Sequence, residues 1–202
     1  MSANPQGKGL VPVMEDWRAA QASAIRVRAP KEVLRDYLVT SLVVSAQIRL
    51  KPRPGVDYFL YLAGETCQLS LLSPEDWRGR QPGPCLGRCV LQADMTWQFT
   101  PAATVTEDPE LCEWLEAFWQ GFTDWLAQEG TLEDHLPFHV RQLPYYRRLL
   151  AAGMASSLQR SLVMSGLEGR HTRDWLSAEE LPGLLGPQEN FASFLESANA
   201  PE

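Results

Sequence analysis

The spacing of apolar residues changes near residue 101. Before it, the runs YFLYL (58–62) and CQLSLL (67–72) flank a Gly-containing turn, a pattern typical of a β-hairpin. The runs 86–93 and 96–100 predict two more strands, and 47–51 allows a fifth. After residue 101 apolar residues recur every three to four positions, as in helices. We therefore predict an α+β fold: a small antiparallel sheet of four to five strands, N-terminal helices and a helical C-terminal half.

The first hundred residues also contain helical signals. We expect a flexible N-terminus over 1–12, a first helix from residue 13 to about Arg28 and a second over 31–45, separated by Pro30. The β-branched residues within 38–50 make a strand the alternative for that stretch.

The C-terminal half predicts four helices. Asp108 and Pro109 have the residue types of an N-cap and a first helical position, and open a helix over 108–129. Further helices are predicted over 144–166, 172–185 and 187–197. We expect 13–100 and 101–202 to pack together as one globule.

Composition and charge restrict the class of protein. The 202 residues carry a formal net charge of −7. Acidic residues concentrate in 101–136 and arginines in 137–173, which indicates helices that pair with each other and argues against nucleic-acid binding. Four scattered cysteines do not resemble a secreted disulfide framework. With no apolar leader or membrane-spanning stretch, we expect a cytoplasmic protein. The preference for Arg over Lys indicates a GC-rich, bacterial genome.

Three segments, PGVDYFLY (54–61), LSLLSPEDW (69–77) and LGRCVLQADMTW (86–97), resemble domain-of-unknown-function family 2452, which occurs in eukaryotes and bacteria. The resemblance covers about residues 1–100. It implies no catalytic residue, because the family has no established activity. The positions that carry it are Pro54, Gly55, Tyr58, Tyr61, Ser73, Pro74, Trp77, Leu91, Asp94 and Trp97.

The candidate binding residues before residue 100 lie at turns or on strands. Ser73 and Glu75 begin a one-turn helix that ends at Trp77, where they either cap the helix or present polar groups to a pocket. Asp94 lies in the turn before Trp97, where a carboxylate usually bonds its own backbone and a ligand contact is the alternative. An aromatic cage is the competing hypothesis to core packing for a set of four side chains. These are Tyr58, Tyr61, Trp77 and Trp97. The two tyrosines are three apart and should face opposite ways on a regular strand.

The metal and thiol candidates are weaker. His135 and His139 share the i, i+4 spacing of helical metal ligands, but Pro137 between them argues against a regular helix. Cys85 and Cys89 would share a face of a regular strand, as ordinary buried residues or as zinc ligands together with Cys67 or Cys112. Arg147 and Arg148 belong to the basic stretch, which either binds nucleic acid or pairs with the acids of 107–134.

The sequence shows no dinucleotide-binding, phosphate-loop or nucleophile-elbow motif, so we expect no cofactor. We favour a non-enzymatic protein-interaction module. Trp114 and Trp119 on the 108–129 helix would bind a partner or a second copy. The alternative is a small-ligand-binding protein or an enzyme with a pocket between the sheet and the C-terminal helices.

Overall fold

The computed structural model describes residues 22–126, 129–137, 143–171 and 174. It shows the expected α+β fold. The helices are α1 (Pro30–Ser45), α2 (Pro74–Trp77), α3 (Ala103–Glu107), α4 (Pro109–Leu126), α5 (Leu132–His135) and α6 (Tyr145–Ser165), and the strands are β1 (Asp57–Ala63), β2 (Thr66–Ser70), β3 (Cys85–Leu91) and β4 (Trp97–Pro101).

The four strands form one antiparallel sheet in the order β2-β1-β3-β4. A fifth strand over 47–51 is not formed. Instead, Gln47 makes one parallel bridge to Gln68 on the edge strand β2. A register shift between Leu60 and Tyr61 places a bulge in the β1–β3 ladder.

Helix α1 is covered on nearly all sides. It contacts both β4 and α6, and ten of its residues are buried. Pro30 starts the helix, and the carboxylate of Glu32 accepts the N–H of Ala29 at 2.8 Å. The strand alternative for 38–50 is therefore wrong, because 38–45 is helical and its valines pack in the core as part of the helix.

The predicted helix over 13–28 is wrong in its described part, since residues 22–28 are not helical. The backbone of this segment bonds to distant elements instead. The N–H of Ser23 donates to Ala93 O at 2.9 Å, and the N–H of Arg28 donates to Ser165 Oγ at 3.0 Å. Residues 13–21 lie outside the described residues, as do the predicted helices over 172–185 and 187–197 apart from residue 174.

The remaining helix boundaries follow local capping signals. Asp108 Oδ1 accepts the N–H groups of Glu110 and Leu111 at 3.0 and 3.3 Å, which caps α4. Gly166 has φ +67° and ends α6. Among the described residues, no helix is both long and apolar enough to cross a membrane.

Candidate binding site

Arg28 is completely buried, which is unusual for an arginine. None of its side chain is exposed to solvent. Its Nε lies 2.9 Å from Asp36 Oδ2, and its Nη2 pairs with Asp94 Oδ2. Asp36 belongs to α1 and Asp94 to the β3–β4 turn, so this guanidinium joins two elements. Neither Nε nor Nη1 of Arg28 has a hydrogen-bond partner within the described part of the chain, so Asp36 faces Nε as an ion pair only.

The turn that holds Asp94 is fixed by its own side chains. Asp94 Oδ1 accepts the backbone N–H of Thr96 at 3.0 Å and the Thr96 hydroxyl at 2.6 Å. Met95 has φ +67°, a left-handed conformation. The N–H of Trp97 donates to Thr40 Oγ1 of α1 at 3.1 Å. Asp94 therefore bonds its own backbone and also takes part in a buried ion pair.

Asp36 is held from two sides. Its Oδ1 accepts from Nη2 and Nε of Arg35 at 2.9 and 3.1 Å, while Oδ2 faces Arg28. Burial raises the pKa of the Asp36 carboxyl, and the negative charge of Asp94 acts in the same direction. Arg35 and Arg28 oppose this rise but do not cancel it.

A cleft of about 280 Å³ lies against this ion-pair network, since both aspartates contribute to its wall. Charged and amide side chains make up most of its lining, and aliphatic and aromatic side chains contribute the apolar part. The lining residues are Arg26, Arg35, Asp36, Val39, Gln92, Asp94, Thr96, Trp97, Gln98 and Phe99. On the rim, Arg26 is half exposed and uses Nη1 to pair with Glu32 Oε1 at 2.7 Å.

One protein-family model matches residues 16–121 of the chain, under the description protein of unknown function (DUF2452). The chain belongs to the DUF2452 family. No curated protein and no solved structure matches it. The match confirms the family resemblance seen in the sequence, but it begins at residue 16 where the resemblance was placed from residue 1, and it extends past residue 100 to Gly121 in α4. The DUF2452 segment contains every residue that lines the cleft.

Within the DUF2452 segment, the two Tyr–Trp pairs lie on opposite faces of the sheet. Tyr58 meets Trp97 edge-on at 5.7 Å between ring centroids, inside the core beneath α1. Tyr61 meets Trp77 edge-on at 6.2 Å, and its hydroxyl donates to Leu72 O at 2.8 Å. Trp97 alone of these four side chains lines the cleft, so they do not form a shared aromatic cage.

Ser73 is the N-cap of α2, and Glu75 lies within this helix. Ser73 Oγ accepts the N–H of Asp76 at 3.3 Å and donates to Asp76 Oδ2 at 2.9 Å, a capping box. Glu75 is exposed, and hydrogen bonds from its own backbone and from Ser73 lower the pKa of its carboxyl. Neither residue lines the cleft.

The bulge in β1 and β3 separates the cysteines that a regular strand would place together. Cys89 is the register partner of Tyr58, whereas Cys85 is the partner of Tyr61. Because directly opposed residues share a face, Cys85 and Cys89 face opposite sides, which corrects the expectation that they share one. A Cβ on Gly87 between them would lie 2.3 Å from Thr100 O, so glycine is needed there.

Beyond the sheet, Trp114 and Trp119 are partly buried and pack against the core. Trp114 stacks on Phe118 within α4, with a centroid distance of 6.2 Å and an interplanar angle of 14°. Some of each ring therefore stays accessible, which leaves the predicted interaction face open to test.

Among the described residues, Arg147 pairs with none of the acids of 107–134 and binds α1 instead. Its Nε donates to Val44 O at 2.7 Å and its Nη2 to Ser45 O at 3.0 Å, so it caps the carboxyl end of α1. Burial lowers the pKa of this guanidinium. Arg148 is exposed.

The His135 ring packs edge-on against Trp125 at 4.8 Å, and its backbone carbonyl accepts the Tyr37 hydroxyl at 3.0 Å. His139 lies outside the described residues. Among the residues that are described, no group of three or more His, Cys, Asp or Glu side chains could hold a metal ion.

The sequence reasoning missed most of the cleft. The sequence did not predict as site residues Arg26, Arg28, Arg35 or Asp36. In the structure, Asp36 and Asp94 face the same guanidinium. A usable signal was present in α1, where Asp36 is the one acidic residue in the largely apolar stretch from Val33 to Val44. A lone acid inside an apolar helix implies a buried partner.

Proposed function

We propose that this DUF2452 protein is a non-enzymatic binding module whose cleft takes a small polar ligand. The observation that carries the proposal is the buried Arg28 with its two aspartates in the wall of the cleft. Replacing buried ion pairs with well-packed apolar residues is often neutral or stabilising. A network kept here despite its desolvation cost, beside a polar cavity, supports a role in recognition.

The chemical state of the side chains supports binding over catalysis. Asp36 and Asp94 are each engaged by an arginine, so neither carboxylate is free to accept a proton from a substrate. Burial raises the pKa of Cys67 to about 12 and holds that of Cys89 well above its usual value. Both therefore remain thiols near neutral pH, a poor state for a nucleophile.

Amide NMR with a library of polar fragments tests the proposal. We expect saturable shifts at cleft residues such as Gln92, Thr96 and Gln98. Gln98→Trp should fill the cleft and abolish these shifts. Thr100→Trp is the matched control, because Thr100 lies on the same strand outside the lining and is also exposed. Shifts that map elsewhere, or that survive Gln98→Trp, would remove the cleft as the binding site.

A second candidate function is binding of a protein partner or a second copy through α4. It is favoured by the aromatic side chains that remain only partly buried along this helix, which are Trp114, Phe118, Trp119, Phe122 and Trp125. A stable interface needs roughly 1,000 Å² or more of buried surface, which a row of such rings could begin to supply.

Size-exclusion chromatography with light scattering tests this second function. We expect a dimer that Trp114→Arg dissociates and that Glu116→Arg, at an exposed position on the same helix, leaves intact. A monomer at all accessible concentrations excludes self-association through α4.

A cytoplasmic location is part of the proposal. It is supported by the four cysteines, all of which are free thiols. Cell fractionation of the native host would test it, and recovery in a secreted fraction would contradict it.

A further inference from the structure

Residues 22–29 form a segment, here called the strap, that crosses the β3–β4 turn and the end of α6. Arg28 is its one buried residue, and Val27 beside it is 59% exposed. Polar contacts hold the rest: Ser23 N–H to Ala93 O at 2.9 Å, and the Ser161 hydroxyl to Arg26 O at 2.8 Å. Ala22 packs against the core, but no apolar side chain of the strap is fully buried, so little apolar surface resists its detachment.

The site that receives Arg28 is built without the strap. Asp36 is oriented by Arg35 of its own helix, and Asp94 by Thr96 of its own turn. The two carboxylates converge on the Nε and Nη2 nitrogens of one guanidinium. Asp94 hydrogen-bonds Nη2, whereas Asp36 faces Nε as an ion pair without a hydrogen bond, so a planar guanidinium with its several N–H donors matches two separate carboxylates.

We propose that Asp36 and Asp94 form a guanidinium-binding site that Arg28 occupies in cis, and that an arginine side chain of a partner peptide displaces Arg28. The inference rests on the proposed function, since the incoming side chain enters through the cleft that both aspartates line. It also names the ligand class: a peptide that presents arginine.

Replacing Arg28 by the arginine of a partner peptide keeps the buried ion pairs with Asp36 and Asp94. One guanidinium replaces another, so both ion pairs survive and no buried charge is left uncompensated. The strap exchanges its few backbone bonds for bonds to water. The other charged groups at the site are Arg26, Arg35 and Glu32. The two arginines favour the charged form of the two aspartates, and Glu32 pairs with Arg26. Because Arg28 is tethered, free arginine should compete only at concentrations on the order of millimolar.

Chemical rescue tests the specificity of the site. In Arg28→Ala, ethylguanidinium supplies the atoms that the substitution removes. We expect ethylguanidinium to raise the urea midpoint of unfolding of this variant and to return the NMR signal of the Thr96 amide to its wild-type position. Its affinity should be about 10-fold above that of ethylurea, which is isosteric but neutral. Arg88→Ala, which removes an exposed arginine paired with Asp57 outside the cleft, should show no such rescue. Equal effects of ethylguanidinium and ethylurea would overturn the guanidinium site.

Displacement is tested in the wild-type protein, so a poorly folded Arg28→Ala does not block the result. N-acetyl-arginine methylamide should speed hydrogen exchange at the Ser23 and Arg28 amides about 10-fold, whereas the citrulline analogue should not. Unchanged protection at about 50 mM, well above the effective concentration of a tethered group, would make Arg28 a fixed structural residue. If other fragments still bind the cleft in that case, the proposed function survives and the arginine inference alone fails.

Discussion

Two turns of this protein share a sequence pattern and differ in nearly everything else. Each has an Asp shortly before a Trp, Asp76 before Trp77 and Asp94 before Trp97, and each Trp meets a tyrosine of β1 edge-on. Asp76 is exposed and bonds Ser73, whereas Asp94 is buried and pairs with Arg28. The difference teaches that the local motif builds the turn and that the element packed above it determines its role.

Helix α1 makes that difference. It lies on the face of the sheet that carries Trp97, and Thr40 bonds the backbone of that residue directly. On the opposite face the described residues place the single turn α2 against Tyr61, and Leu71 and Leu72 beside it are 53% and 42% exposed. Burial by a long helix converts Asp94 from a turn-forming residue into part of a cleft.

The largest expected effect separates the two tryptophans. Trp97→Ala should lower the free energy of unfolding by about 3–5 kcal/mol, because it empties a fully buried site in the core. Trp77→Ala should cost about 1–2 kcal/mol, since Trp77 is only partly buried. Urea unfolding followed by circular dichroism measures both. An equal or larger loss for Trp77→Ala would mean that α2 is as much a part of the core as α1.

The next largest difference in stability should be between substitutions of the two aspartates, Asp94 and Asp76. Asp94→Asn should cost about 2–3 kcal/mol because it weakens a charged hydrogen bond to a buried guanidinium. Asp76→Asn should remain within about 0.5 kcal/mol of the wild type, since the Asp76 side chain is solvated. The same unfolding curves give both values. A near-neutral Asp94→Asn would show that the ion pair contributes no net stability and would weaken the case for the cleft.

The parts of the fold that were predictable from the sequence are those with local signals. Pro30 and Gly166 mark helix ends, and Ser73 and Asp108 cap helices, each within a few residues of the element that it terminates. Of the candidate site, only Asp94 and its neighbour Trp97 were predicted.

The rest of the site depends on long-range contacts. Arg28 and Asp94 are 66 residues apart, and no local pattern joins them. Apolar residues spaced three to four apart likewise suggested a helix over 13–28, but tertiary bonds to Ala93 and Ser165 hold the described backbone of 22–28 in a non-helical conformation. The bulge at Tyr61 also reversed the expected facing of Cys85.

The hydroxyl groups of the two turns give a smaller contrast. Thr96→Val keeps the shape of a buried side chain but removes a bond to Asp94, and should cost about 1–2 kcal/mol. Ser73→Ala removes the cap of α2 and should cost about 0.5–1 kcal/mol. Urea midpoints with unchanged slopes would measure these losses. A larger loss for Ser73→Ala than for Thr96→Val would contradict the view that burial strengthens the β3–β4 turn.

The smallest expected effect is a difference in how stability depends on pH, which should have opposite signs for Asp36 and Glu75. The pKa of Asp36 is raised in the folded protein, chiefly by burial, so the native state binds this proton more tightly than the unfolded state. Stability relative to Asp36→Asn should therefore fall as pH rises from the ordinary carboxyl pKa through the raised one. The pKa of Glu75 is lowered, chiefly by a hydrogen bond from its own backbone, so stability relative to Glu75→Gln should rise with pH over the acidic range.

Unfolding free energies of the three proteins between about pH 3 and about pH 6 give both difference curves. Subtracting each variant from the wild type cancels the titration of carboxyls common to both. Opposite slopes would show that the two surroundings act oppositely on carboxylates. Burial desolvates Asp36 in α1, whereas hydrogen bonds stabilise the charge of Glu75 in α2. Slopes of the same sign for Asp36 and Glu75 would mean that the arginines beside Asp36 outweigh its burial, and the inner network would then stabilise the fold as an ordinary ion pair does.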